Sequence, residues 1–158
     1  MKSKYILFAL FFLSIVQFAM AQVTPIEAVI DKKKTTYSTK SHSNYNTLFE
    51  NQSYNLLQKL QENLKLIDNV NLIFIKGCIQ NNASLQNNNT ILYVEYIVNQ
   101  EGNVLSCSLV NYGIRVSFSD SEIECILTEA MNNTFSFSEV PNGINKFYYR
   151  IMKRFKFT

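Results

Sequence analysis

Few side chains in this 158-residue chain combine a reactive type with a useful spacing. His42 is the only histidine and stands in a polar stretch, so its sequence neighbours offer neither an acid/base pair nor a multi-histidine metal site. Cys78, Cys107 and Cys125 permit one internal disulfide with a thiol left over, or three buried apolar cysteines; a Cys3His site with His42 would need ligands at wide, irregular spacing. Asp120, Glu122 and Glu124 are the densest acids. They fall at the start of a helix pattern, where the helix dipole favours negative charge, and no partner base accompanies them. No phosphate-binding loop, dinucleotide fingerprint, G-x-S-x-G elbow or H-E-x-x-H helix occurs. The expectation is a protein without a catalytic centre, cofactor or metal.

Interaction chemistry is concentrated near the C-terminus. Tyr148, Arg150, Met152, Arg154 and Lys156 alternate with Phe147, Tyr149, Ile151, Phe155 and Phe157, which predicts a strand over 146–157 with one packed and one wet face. Lys153 falls on the apolar side, where its stem can snorkel. Tyr148, Arg150, Arg154 and Lys156 are the candidate partner-binding residues, and the competing reading is a set of cations that merely keeps a sheet edge soluble. Fifteen basic residues stand against twelve acidic ones, a net charge of +3. Removal of a leader containing Lys2 and Lys4 leaves thirteen against twelve, so no nucleic-acid partner is expected.

That leader is read from Lys2 and Lys4, the apolar run of Tyr5 to Val16 broken only by Ser14, and the small-residue boundary Ala19-Met20-Ala21. Residues 1–21 are expected to be a cleavable export signal, with Gln22 the first mature residue. No later segment resembles a membrane span, so no stable transmembrane segment is expected after processing. The remaining chain suits one domain: a polar N-terminal segment over 22–52 and a single α+β domain over 53–158. Within the former, 31–47 holds the Lys32-Lys33-Lys34 run and little apolar periodicity, and reads as an exposed, irregular arm.

From Ser53, a candidate cap, Leu57, Leu60, Leu64 and Ile67 recur at helical spacing with Leu56 beside them, predicting a helix over 54–67. Residues 70–79 are apolar on both alternations and predict a strand, followed by a polar loop over 80–90. Two alternating segments, 91–98 and 104–112, meet at Glu101-Gly102-Asn103 and predict a hairpin. Val104 and Val110 lie in the opposite register, which requires a bulge near the turn or a second covered face. Ser119 with Glu122, or Ser121 with Glu124, forms a capping box before a helix whose apolar face is Ile123, Ile126, Leu127, Ala130 and Met131. The predicted architecture is a small antiparallel sheet of 91–98, 104–112 and 146–157, packed by the 120–132 helix and extended by the N-terminal helix and strand.

The phrase Tyr93-Val94-Glu95-Tyr96-Ile97-Val98-Asn99-Gln100-Glu101-Gly102-Asn103-Val104, followed by Ser106-Cys107-Ser108-Leu109-Val110, resembles the strand, glycine turn and returning strand of the TonB C-terminal domain family. Ser119 to Met131 resembles its following helix. Phe135-Ser136-Phe137 through Pro141-Asn142-Gly143 resembles the passage into its last strand, so the likeness covers 91–157. The resemblance implies a periplasmic or envelope-associated domain that contacts an outer-membrane protein by adding a strand edge. Energy-transducing members carry an N-terminal anchor and a Pro-rich reach, whereas this chain has only Pro25 and Pro141. The expected function is an exported, non-catalytic interaction module of the cell envelope, periplasmic or secreted and surface-associated, with an envelope or outer-membrane protein as partner. A small secreted enzyme with a site assembled from loops, or a purely structural accessory domain, is the alternative.

Overall fold

The alternating strands and their glycine turn lie at the centre of the molecule. A computed structural model describes residues 29–31, 34–67, 70–79, 91–112, 117–144 and 146–156. Its elements run β1 (Val29–Asp31), β2 (Lys34–Ser38), α1 (His42–Glu50), α2 (Tyr54–Asn63), β3 (Lys65–Ile67), α3 (Phe74–Cys78), β4 (Ile91–Asn99), β5 (Val104–Tyr112), α4 (Asp120–Met131), β6 (Ser136–Glu139) and β7 (Tyr148–Lys156). The 1–21 leader and the 80–90 loop lie outside the described residues. The result is a small α+β fold: a five-stranded antiparallel sheet in the order β1-β2-β5-β4-β7, a two-stranded sheet β3-β6, and helices packed against them.

The β4–β5 turn depends on one backbone conformation. Gly102 has φ 84°, and a Cβ there would stand 1.8 Å from the Phe135 carbonyl oxygen. That carbonyl approach accompanies a bond in which the Phe135 N–H donates to Gly102 O at 2.9 Å, tying the turn to the chain leaving α4. Asn99 Oδ1 accepts from the Glu101 and Asn103 N–H groups at 3.1 and 3.0 Å. Both expected devices are used: the register shifts between Ile97 and Val98, and the second face near the turn is covered by α1.

On the first face, Leu92, Val94, Tyr96 and Val98 of β4, Cys107 and Leu109 of β5, and Ile151 of β7 are buried with Ile123, Ile126, Leu127 and Ala130 of α4. Each such aliphatic side chain removed from water contributes about 1.5–3 kcal/mol. Helix α4 starts where the capping box predicts. Ser119 Oγ accepts from Glu122 N–H at 3.3 Å, and Glu122 Oε2 accepts from Ser119 N–H at 2.8 Å. Ser53 caps α2 in the same way, accepting from Leu56 N–H at 3.2 Å.

Three expected elements are corrected. The 70–79 segment is not a strand: Leu72, Ile75 and Ile79 are buried at spacings of three and four, while Ile73 is 64% exposed, a helical distribution. Asn71 Oδ1 accepts from Ile73 N–H at 3.0 Å and starts that turn. The 54–67 helix ends at Asn63, because Leu64 turns extended and Lys65–Ile67 pairs with β6, leaving Ile67 42% exposed. The irregular arm over 31–47 is instead β2, paired along β5, followed by α1.

Cys78 of α3 is disulfide-bonded to Cys125 of α4, and Cys107 is a free, buried thiol. The bridge closes a loop with a sequence separation of 47 and locks the short α3 onto the helix that covers the sheet. Replacing Cys78 and Cys125 with serine is expected to lower the unfolding free energy by about 2–4 kcal/mol. Thiol titration should read none in the native protein and only Cys107 after denaturation without reductant. Three reactive thiols in the unreduced, denatured chain would contradict the pairing.

Candidate functional site

Helix α1 presents His42, Tyr45, Asn46 and Phe49 along one side, at the spacing that aligns residues on a helix face. It lies across the second face of the sheet, over the half nearest the turn. The approach is stitched down first: Thr39 N–H donates to Cys107 O at 3.0 Å, and Ser41 Oγ donates to Leu105 O at 3.3 Å. The helix then closes over Ile97, Ser106, Glu95 and Arg150, which adjoin one another in the strand register.

Glu95 is the only charge in β4 and its side chain is 15% exposed, so its carboxylate needs partners there. It has two. Arg150 Nε lies 3.7 Å from Glu95 Oε1, a charge contact, and His42 Nε2 lies 3.6 Å away, a contact that becomes ionic only when the imidazole is protonated; both are longer than a hydrogen bond. Arg150 also donates to Asn46 Oδ1, lies 3.7 Å from Glu50 Oε1, and stacks 4.4 Å over the Phe49 ring. Ser106 Oγ is 3.4 Å from His42 Nδ1. With Nε2 protonated toward Glu95, Nδ1 is left to accept from the serine hydroxyl.

Serine, histidine and carboxylate in that order are the parts of a nucleophilic triad. Here Ser106 is 0% exposed beneath α1, so its hydroxyl meets no solvent-borne substrate in this arrangement. The cluster instead clasps the helix to the sheet. Its components were missed in the sequence because His42 and Ser106 are 64 residues apart. The one local signal was Glu95, a lone acid inside an otherwise apolar strand.

Strand β7 is an outer strand of the five-stranded sheet. At its start, Gln52 Oε1 accepts from Tyr148 N–H at 2.6 Å and Gln52 Nε2 donates to Tyr148 O at 2.8 Å, so one side-chain amide occupies the place of a neighbouring strand. These bonds show that Tyr148 turns its backbone groups away from β4. Alternate residues of an antiparallel strand share that direction, so Arg150, Met152, Arg154 and Lys156 also present N–H and C=O groups outward. Among the described residues no strand pairs with that edge. Of the four candidate binding residues, Arg154 and Lys156 are exposed on the second face, Tyr148 has its backbone held by Gln52, and Arg150 is committed to α1. Lys153, on the first face, donates from Nζ to Val70 O at 2.7 Å.

The remaining reactive groups do not converge. Cys107 faces α4, its Sγ donating to Leu127 O at 3.5 Å, and burial pushes its thiol up to about 12. His42 is on the opposite side of the sheet, and Asp120 begins α4. An open groove of about 610 Å³ between α2 and residues 138–142 contains none of them, and its Glu139 is held by Lys65 at 2.7 Å. Among the described residues no group of three or more His, Cys, Asp or Glu is placed to hold a metal ion, and no helix is long and apolar enough to cross a membrane. No protein-family model, curated protein or solved structure matches this chain.

Burial holds His42 below its ordinary value of 6.5; Glu95 opposes that depression and Arg150 adds to it. The unfolded chain therefore takes up the proton first as pH falls. The stability contributed by neutral His42 is complete above about 6.5 and is lost as pH falls from there through the lower folded value. The urea midpoint should fall between about pH 7.5 and about pH 5.5, and His42→Gln should flatten that slope. A His42 NMR titration midpoint above 6.5 would contradict this electrostatic balance.

Proposed function

We propose that this chain is an exported, noncovalent interaction module of the cell envelope that takes up a partner segment by strand addition along β7. The observation that carries the reading is the outward backbone of Arg150 to Lys156, bounded at Tyr148 by the Gln52 amide. Strand addition draws affinity from directional main-chain hydrogen bonds and specificity from alternate side chains. Gln52 ends the available edge, so an added strand would pair beside 150–156 and no further toward the start of β7.

Arg154 and Lys156 are the steering charges in this reading, and they attract an acidic segment over a distance set by salt. Arg150 is a positioning residue, because its guanidinium holds α1 against Glu95 and leaves its backbone to the edge. The Cys78–Cys125 bridge suits an oxidising compartment, and together with the expected leader it supports a periplasmic or secreted location. The hairpin, helix and final strand occur in the order implied by the resemblance of 91–157 to the TonB C-terminal domain family. A soluble or surface-associated adaptor that binds an envelope or outer-membrane protein is the role those features support together.

The test uses proteins recovered from envelope extract on the immobilised chain, each re-measured with purified components. Arg154→Glu with Lys156→Glu should weaken a direct complex more at low than at high salt while preserving the fold. Met152→Pro removes an outward N–H and no bond to β4, and should weaken the same complex at every salt concentration. Recovered partners whose affinity is unchanged by both variants would overturn the edge reading.

A further inference from the structure

Among the described residues, α1 leaves half of the second face uncovered, and the strand register lines up two rows of side chains there. Lys34, Tyr112, Ile91 and Lys156 form the outer row across β2, β5, β4 and β7. Thr36, Val110, Tyr93 and Arg154 form the row beside it, in which Val110 is buried, Thr36 and Tyr93 are half-buried and Arg154 is exposed. Tyr93 and Tyr112 meet edge to face, with ring centroids 5.3 Å apart, and Tyr112 remains 44% exposed. Met152, 50% exposed, borders the rows on the α1 side. The strip is therefore aromatic and aliphatic in the middle and cationic at both ends. In the backbone register Lys34 pairs with Asp31 of β1.

We propose that this open half-face is a second docking surface, for an extended acidic peptide lying across the strands with an apolar side chain on the tyrosine pair and a carboxylate at each end. The geometry sets the spacing. Lys34 and Lys156 are three strand intervals apart, about 14 Å at roughly 4.8 Å per interval. In an extended peptide, residues one, three and five share a face, and the first and fifth are about 13 Å apart. Acid, apolar, acid at alternate positions therefore matches cation, tyrosine pair, cation.

Other occupants fit less well. A second copy of this face would set Arg154 and Lys156 near like charges, which disfavours self-association. Nucleic bases stack on rings that offer parallel open faces, whereas Tyr93 and Tyr112 are inclined at 87° to each other. This surface is distinct from the β7 edge: it uses side chains as far away as β2, and it needs no free backbone group.

The probe is the blocked peptide Glu-Ser-Leu-Ser-Glu, titrated into isotope-labelled protein and followed by amide chemical shifts. Shifts should cluster at Lys34, Ile91, Tyr93, Tyr112, Arg154 and Lys156, and the same peptide with lysine for glutamate should give none. Lys34→Glu, an exposed change remote from β7, should weaken binding roughly five-fold. Tyr112→Ser should do at least as much, and amide dispersion confirms that each variant is folded. Absence of shifts at these residues, or unchanged affinity in Lys34→Glu, overturns the proposal. So does tighter binding at the same residues by oligothymidylate or by phosphatidylglycerol vesicles, which would assign the strip to a nucleic acid or a membrane. If Met152→Pro abolishes peptide binding while Lys34→Glu leaves it intact, the peptide is an added strand, and the edge reading stands without this one.

Discussion

Strand β4 is paired along both edges and covered on both faces near the turn, and the positions of the other elements follow from satisfying those four sides. Leu92, Val94, Tyr96, Ile97 and Val98 are all completely buried. Strands β5 and β7 take its backbone groups, α4 covers the first face and α1 covers the second beside the turn. Gly102 makes this possible, because any Cβ at that position would collide with the carbonyl of Phe135, the residue whose N–H bonds Gly102 O at the end of the hairpin.

One charge in that strand accounts for much of the N-terminal architecture. Glu95 needs partners when taken from water, and neither α4 nor β5 supplies a cation to it. Arg150 of β7 supplies the cation and His42 of α1 a polar neighbour, so the carboxylate sits between β7 and the helix, and His42 reaches β5 through Ser106. Phe49 and Asn46 then fix the guanidinium. The same commitment separates Arg150 from the other cations of its face, Arg154 and Lys156, which are exposed, while Lys153 on the first face bonds Val70 O.

Where local signals agree, the fold is legible in the sequence. The β4–β5 hairpin has period-two alternation and a glycine, α4 has a capping box and a helical stripe, and β7 alternates throughout except at Lys153. Helix α1 is illegible because its inner face mixes His42 and Asn46 with Tyr45 and Phe49 and buries no residue completely. Strand β2 alternates Lys34, Thr36 and Ser38 with Thr35 and Tyr37, a pattern with too little apolar contrast to separate its faces. Residues 70–79 mislead by being apolar on both alternations, since a buried short helix and a central strand share that composition. At the site, Arg154 and Lys156 are visible as wet-face cations. The role of Arg150 is not, because its partner Asn46 lies 104 residues away, and nothing local marks Gln52 as the residue that closes the edge at Tyr148.

An edge that is open over a defined stretch and closed at one end is the claim on which the functional reading rests. Residue-resolved amide hydrogen exchange tests it most directly. Tyr149, Ile151, Lys153 and Phe155 point their N–H groups toward β4 and should exchange slowly, with Tyr148 also slowed by Gln52. Met152, Arg154 and Lys156 should exchange fast in the protein alone and slow down when a partner segment pairs. Protection of the Met152 and Arg154 amides in the isolated protein would mean that the edge is already occupied, and would contradict the account.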